Sequence, residues 1–354
     1  MSEEATSYER VRLSEMGWDS DLVWESPATW GQPQADQVLV EVGACGVCFR
    51  DLIDRSGRFP FLQTPMTPGH EAAGRVVAVG PDVEEWRLGD HVATMHRDFC
   101  GECLQCQLGQ TSLCVGAAHV FGLMADGGYA SHLIAPERSL YRLPQELSDV
   151  DGASLHCTFG TAWRGMHYAG PVGSGHRLLV TGANGGVGAA AVQLGARLGA
   201  EVVAVVRDAR MAEYVEAQGA AKVVVDGEGR FHKQLGSWRA DVVLDCVGQP
   251  TFNASLRSAR LGGSVTVIGN VVQDKAMVNL GFLVVGGLQV VGSSGATRAD
   301  MGALLALHAE APLSFTPHEV MALSRADEAQ RLVRAGGLRG RIVLVPEAKM
   351  KGRK

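Results

Sequence analysis

Two hydrophobic rhythms divide the chain. Residues 37–43, QVLVEVG, and 74–80, GRVVAVG, alternate apolar with polar or small positions and end on glycine. A period of two in short runs predicts strands of an antiparallel β domain. From residue 178 the texture changes: LLVTGANGGVGAAAVQLGARLGAEVVAVV reads as an apolar strand, a glycine turn, an alanine-rich helix and a second apolar strand. The alternation continues through KVVVD (222–226), DVVLDCVG (241–248), GSVTVIGN (263–270) and LQVVGS (288–293). Continuous Val/Ile/Leu strands of this kind are buried on both faces, as in a parallel doubly wound sheet. A helical stretch and a last strand, GRIVLVP, follow, in the register of the first domain. The expected organisation is an α/β chain in which 1–158 and 294–354 form a β domain and 159–293 a nucleotide-binding domain.

Composition narrows the class. The chain has 354 residues, 46% of them hydrophobic, enough for two cores. Charged residues are 20% and the net charge is -6, which argues against a disordered tail, a coiled coil or a general attraction for nucleic acid. The 45 glycines have no collagen period and gather at turns and strand-to-helix junctions. The start, MSEEATSYER, is polar and acidic where a secretory leader would be basic and then apolar, and no apolar run is long enough to span a bilayer. A cytoplasmic protein with no membrane partner is the expectation. The terminal KMKGRK reads as a solvated end.

The glycine turn carries the first chemistry. Gly182, Ala183, Asn184, Gly185, Gly186, Val187 and Gly188 lie between a predicted strand and a predicted helix. In that setting Gly185 lets the backbone approach a pyrophosphate, Gly188 lets helix and strand pack closely, and the first helical N–H groups attract the anion. A purely structural glycine turn is the competing reading. Ala183 replaces the first glycine of the usual G-x-G-x-x-G pattern, with Gly182 beside it. The next strand ends at Val206, followed by Arg207 where an NAD site commonly has a carboxylate, so a 2′-phosphate and NADP(H) are expected. Asp208 opposes this unless it caps the next helix.

Eight cysteines raise the question of metal or disulfide. Cys100, Cys103, Cys106 and Cys114 have the spacing C-x2-C-x2-C-x7-C, which on one loop (about 95–116) points to a closed structural zinc site that stiffens the lobe. An iron–sulfur cluster is the alternative. Cys48, His70, Glu71 and Cys157 are dispersed, and their spacing by itself proves nothing.

The segments CGVCFRDL, PGHEAAGRVVAVG and GDHV, the four-cysteine lobe, and TGANGGVG with a cysteine just ahead of its domain occur in an order that resembles zinc-containing medium-chain dehydrogenases/reductases over nearly the whole chain. The resemblance implies a GroES-like antiparallel β catalytic domain joined to a Rossmann doubly wound parallel sheet. It implies that Cys48, His70 and Cys157 ligate a catalytic zinc, with Glu71 as alternate ligand and Asp51 orienting the histidine. It also implies two zinc ions per chain, Asn270 beside the cofactor, and a homodimer or homotetramer. For Cys157 a buried small residue is the competing reading, and Cys45 and Cys246 read as core residues.

The chain departs from the alcohol dehydrogenases of this family at two positions. Where they carry a proton-relaying Ser or Thr, and often a His three residues later, this sequence has Arg50 and Ile53. An arginine stays protonated and cannot accept the alcohol proton. The runs CFRDL, HCTFGTAWRG, DCVGQPTFNASL and IGN resemble the acryloyl-CoA reductase branch, which implies NADPH-dependent reduction of the C=C bond of a short 2-enoyl-CoA, 3-methylcrotonyl-CoA to isovaleryl-CoA or acryloyl-CoA to propionyl-CoA. Arg50 could assist that reaction, hold a cofactor phosphate or form a surface salt bridge. Water, Tyr129 and a zinc-bound water are open as proton donors; His156 reads as a core histidine. Phe59, Phe61 and Trp163 are pocket walls on family grounds and core residues otherwise. The competing functions are a zinc alcohol or aldehyde dehydrogenase and a non-catalytic zinc- and nucleotide-binding protein.

Overall fold

The computed structural model describes residues 8–59, 61–168, 170, 172–315 and 317–350. It separates into two compact units: Met1–His156 with Phe315–Gly336 and Arg341–Lys354, and Cys157–Ser314 with Gly337–Gly340. The chain hands over at His156 and returns at Phe315, later than the expected 294. The helix Arg298–Glu310 accounts for the difference, because Asp300 in its first turn pairs with Arg164 at 3.0 Å and keeps it in the second unit.

The first unit opens with a hairpin of β1 (Tyr8–Leu13) and β2 (Leu22–Ala28). Its main sheet contains β3 (Gln37–Val47), β4 (Ala72–Val79), β5 (His91–Thr94), β6 (His132–Pro136) and β7 (Leu140–Arg142). Pairing among these is antiparallel, and the late strands β14 (Glu319–Ala322) and β15 (Ile342–Val345), parallel to each other, extend it, β15 antiparallel to β3, in the order β14-β15-β3-β4-β5-β7 with β6 also on β3. The alternation expected for β3 is not what folds. Val38, Leu39, Val40, Val42, Ala44, Cys45 and Val47 are all buried, because this central strand is covered on both faces, the helix Asp149–Ser154 packing on it. Helix α1 (Phe49–Arg55) follows directly from β3.

The second unit is the expected parallel sheet. Its strands are β8 (Arg177–Thr181), β9 (Glu201–Val206), β10 (Lys222–Val225), β11 (Ala240–Asp245), β12 (Ala259–Val267) and β13 (Gln289–Gly292), in the order β10-β9-β8-β11-β12-β13. The order reverses direction between β8 and β11, and ligands of open α/β sheets bind beyond the strand ends at such a point. Leu178, Leu179, Val180, Val203, Val243 and Leu244 are essentially inaccessible, as runs of Val and Leu buried on both faces require. The two edge strands depart from that pattern: Val225 of β10 is 40% exposed and Val290 of β13 44%. Helix α2 (Gly186–Arg197) turns Ala189, Ala190, Ala191, Val192 and Leu194 inward, small residues that let it lie close to the sheet. Among the described residues no helix is long and apolar enough to cross a membrane.

Candidate active site and metal centres

The four lobe cysteines come together as their spacing predicts. Sulfur–sulfur distances are 3.5 Å for Cys100–Cys114, 3.6 Å for Cys103–Cys106, 3.9 Å for Cys103–Cys114 and 4.0 Å for Cys100–Cys106. A tetrahedral zinc with Zn–S bonds of about 2.3 Å spaces its sulfurs roughly 3.8 Å apart, whereas a disulfide needs about 2.05 Å. The lobe therefore fits a metal and excludes a disulfide. Backbone N–H groups of Cys106 and Val115 pull the Cys103 thiol down, whereas burial and the neighbouring thiols push that of Cys106 up, so the set titrates together.

The dispersed set also converges. Ligand atoms of Cys48, His70, Glu71 and Cys157 all lie within 4.8 Å of one another. Three local features bring them there. Cys48 caps α1, its sulfur accepting from the Arg50 N–H at 3.5 Å. His70 and Glu71 directly precede β4. Cys157 rides on a π-helical turn, Leu155–Gly160, and is the residue that immediately follows the first unit; such wide turns are frequent at functional sites.

One buried carboxylate organises two of these ligands. Asp51 pairs through one oxygen with His70 Nδ1 at 2.9 Å, while its other oxygen accepts from the Cys48 backbone N–H and from the Tyr129 hydroxyl, each at 2.9 Å. With Nδ1 held, Nε2 faces the cluster, 3.7 Å from a Glu71 oxygen. Burial and Arg50 lower the basicity of His70, but the Asp51 charge and hydrogen bond outweigh them and raise it to about 10. Glu71 is pushed up to about 7 by burial against the pull of Arg341, whose guanidinium lies 2.8 Å away. The Asp51 contacts predict that Asp51→Asn lowers zinc affinity at this centre by about 10- to 100-fold, as measured by zinc retention against a chelator, since loss of an outer partner typically has that effect. Unchanged retention would show that the histidine needs no such orientation.

Several expectations change. Tyr129 is fully buried and its hydroxyl is committed to Asp51, so it positions that carboxylate and does not stand as a proton donor. Arg50 forms no surface salt bridge: its Nε meets the buried Asp54 at 2.8 Å and an Nη donates to the Phe121 carbonyl at 2.7 Å. Phe59 and Phe61 pair edge-on but are 38% and 62% exposed, which removes the core reading for both. His156 is buried with its ring 5.3 Å from that of His96, in keeping with a core role. Cys45 is buried and outside the cluster, whereas Cys246 is only partly buried.

In the second unit the glycine turn sits between β8 and α2. Gly182 has φ +59°, and a Cβ on Gly188 would collide with the Gly182 carbonyl oxygen, so neither position tolerates a side chain easily. Gly185 is the cap of α2, with Gly186 and Val187 opening its first turn and Ala183 fully buried behind it. Asn184 ties the turn to a distant segment. Its amide donates to the Leu338 carbonyl at 2.8 Å and its own carbonyl accepts from Gly340 at 2.7 Å, fixing Gly337–Gly340. Asn270 is exposed just past β12, against Gly248. Arg207 follows β9. Asp208 accepts from the Arg210 backbone at 2.9 Å, capping the next turn, and pairs with the Arg210 side chain, which holds it down to about 2. The carboxylate that opposed a 2′-phosphate is thus already taken. Arg210, Arg341 and the contact of Tyr129 with Asp51 escape a reading of the sequence, as no spacing marks them.

Residues 34–145 match the alcohol dehydrogenase GroES-like domain and residues 186–310 the zinc-binding dehydrogenase domain. An acryloyl-coenzyme A reductase of Sulfurisphaera tokodaii is 30% identical over 89% of this chain and 94% of its own length. An alcohol dehydrogenase of Geobacillus stearothermophilus is 31% identical over 87% and 91%. The crystal structure of AibC superposes with a TM-score of 0.88 at 35% identity, covering 96% of each chain. Two thiol-rich clusters that could hold metal, a glycine-turn nucleotide sheet and these matches together make the chain an oxidoreductase of the zinc-containing medium-chain dehydrogenase/reductase family.

Proposed function

We propose that this enzyme uses NADPH to reduce the C=C bond of short 2-enoyl-CoA thioesters, branched ones such as 3-methylcrotonyl-CoA included. The observation that carries the reading is the fixed place of Arg50. At the position where an alcohol dehydrogenase relays the substrate proton, a permanently protonated guanidinium is clamped between Asp54 and the Phe121 carbonyl. Ile53 offers no acceptor further on. An alcohol's proton has no exit along this path, whereas C=C reduction needs none. The acryloyl-CoA reductase relative supports the same substrate class.

Cys48, His70 and Cys157 would hold the catalytic zinc, their two thiolates and neutral imidazole offsetting its charge, and Cys100, Cys103, Cys106 and Cys114 the structural one. When bound, NADPH supplies a hydride to the β-carbon and zinc a Lewis acid at the thioester oxygen, the α-carbon taking a proton. Asp51 keeps the imidazole in one tautomer and ring plane. Glu71, ion-paired to Arg341, stands ready as an alternate ligand. Gly182–Gly188 would receive the pyrophosphate at the start of α2, with Asn270 beside the cofactor and Arg207 reading the 2′-phosphate. Arg207→Ala should therefore lower the preference for NADPH over NADH by about 10- to 100-fold, the equivalent of one charge-assisted contact. An unchanged ratio of the two efficiencies would place the phosphate elsewhere.

A homodimer or homotetramer working in the cytoplasm completes the reading. The edge strand β13 and the nearby Leu280, Val284 and Val285, 71%, 79% and 85% exposed, support self-association. The Geobacillus relative favours a second reading, alcohol or aldehyde oxidoreduction. An NADPH-oxidation screen across acryloyl-, crotonyl- and 3-methylcrotonyl-CoA beside simple aldehydes, with the reverse assay on alcohols, separates the two. The proposal fails if only the carbonyl and alcohol substrates turn over.

A further inference from the structure

A cleft of about 280 Å³ opens in the first unit, away from the metal ligands, lined by Trp18, Asp19, Leu52, Arg55, Gln330, Arg331 and Arg334. Three features make it a binding surface. The Arg334 guanidinium lies 4.5 Å from the Trp18 ring centroid and that of Arg58 lies 6.0 Å from it, so the indole and its cations form the flat, electron-rich and cationic kind of face on which a purine stacks. Arg55 is 6% exposed and already bonded to the Ser20 carbonyl, Gln330 and Asp327, yet its buried Nε donor has no partner. That nitrogen is sealed from solvent, so Arg55 lends the cleft its charge and not a direct contact. The charge balance is positive: Arg55, Arg331 and Arg334 stand against Asp19 and Asp327, three guanidiniums to two carboxylates, with Asp327 bridging Arg55 and Arg331 at 2.7 Å each.

We infer that this cleft binds the adenosine 3′-phosphate 5′-diphosphate end of coenzyme A, an inference that rests on the enoyl-CoA reading. The adenine stacks on the Arg334 guanidinium that covers the Trp18 ring, and Arg331 receives phosphate oxygens. The volume lies at the lower limit of small-molecule pockets, typically ~300–1,000 Å³, and suits one nucleotide rather than the whole coenzyme. Helix α1 links the cleft to the metal centre: Cys48 caps its first turn and Arg55 is its last residue. At 1.5 Å per residue that axial distance is about 10 Å, within reach of an extended pantetheine arm. Holding the remote nucleotide would let its binding energy fix the thioester at the reacting centre.

The test is calorimetric titration of adenosine 3′,5′-bisphosphate into enzyme saturated with NADP⁺, which occupies the dinucleotide site, with inorganic phosphate as a separate probe. The parent binds the bisphosphate, and Arg334→Ala, Arg331→Ala and Trp18→Leu, with unchanged melting temperatures, each weaken it by about tenfold, the loss of one charged or stacking contact. In steady-state assays Arg334→Ala raises KM for 3-methylcrotonyl-CoA by a similar factor, while the same acyl group on pantetheine shows no such penalty. Equal binding by parent and variants would overturn the site, and phosphate binding as tightly as the bisphosphate would overturn its assignment to a nucleotide. If the parent binds the bisphosphate through these residues but reduces no enoyl thioester, the site stands and the reductase reading is what fails.

Discussion

On the proposed reading, replacing Cys157 with alanine is expected to lower enoyl-CoA reduction by about 100- to 1,000-fold, the equivalent of roughly 3–4 kcal/mol of lost stabilisation at the developing oxyanion. The loss follows from geometry. Cys157 completes a cluster whose ligand atoms lie within 4.8 Å, and Cys48, His70 and Glu71 alone leave the metal with one thiolate fewer. NADPH oxidation with 3-methylcrotonyl-CoA gives the rate, and zinc content with circular dichroism shows that the variant is folded and short of one ion. A folded variant without that zinc that reduces the thioester at the parent rate would reduce the centre to a scaffold.

Cys103→Ser acts on stability instead. Its sulfur stands 3.6 Å from Cys106 and 3.9 Å from Cys114, so removing it opens the tetrahedral set. Leu104, Leu108 and Val115 in the same lobe are 65%, 61% and 83% exposed, which leaves little apolar packing to hold the loop when the metal is lost. Metal binding in such sites is folding free energy. A loss of several kcal/mol implies a melting temperature lower by roughly 10 °C or more for a unit of this size. One zinc per chain and a lowered melting temperature are expected; two zinc ions and an unchanged transition would mean that the lobe does not depend on its metal.

What can be read from the sequence follows the range of the interaction. The inner strands LLVT, EVVAVV and DVVLD are legible because a strand buried on both faces leaves a continuous apolar run, and the glycine turn because Gly188 has a backbone neighbour where a side chain would stand. The lobe is legible because its ligands are close in sequence. The catalytic cluster is not: Cys48, His70 and Cys157 meet only through tertiary structure, and only the likeness to a family names them. The partners of Asp51 and Glu71 show the same limit. Tyr129 and Arg341 act across the fold: the sequence points to Tyr129 only as a proton donor, and nothing in it marks Arg341. The late return at Phe315 is hidden because the sequence of helix Arg298–Glu310, with little contrast between its faces, suits either unit until Asp300 meets Arg164. Asp208 is ambiguous in sequence, and its ion pair with Arg210 is visible only in the fold.

The central claim concerns which bond receives the hydride. NADPH carrying deuterium at the transferring position of C4, incubated with 3-methylcrotonyl-CoA and the enzyme, tests it directly by mass spectrometry and NMR of the product. The account predicts a saturated acyl-CoA that bears the deuterium on its β-carbon, with one NADPH consumed for each thioester reduced. No turnover of the thioester, together with deuterium delivered to the carbonyl carbon of an aldehyde at a rate that matches the enzyme's best substrates, would contradict it.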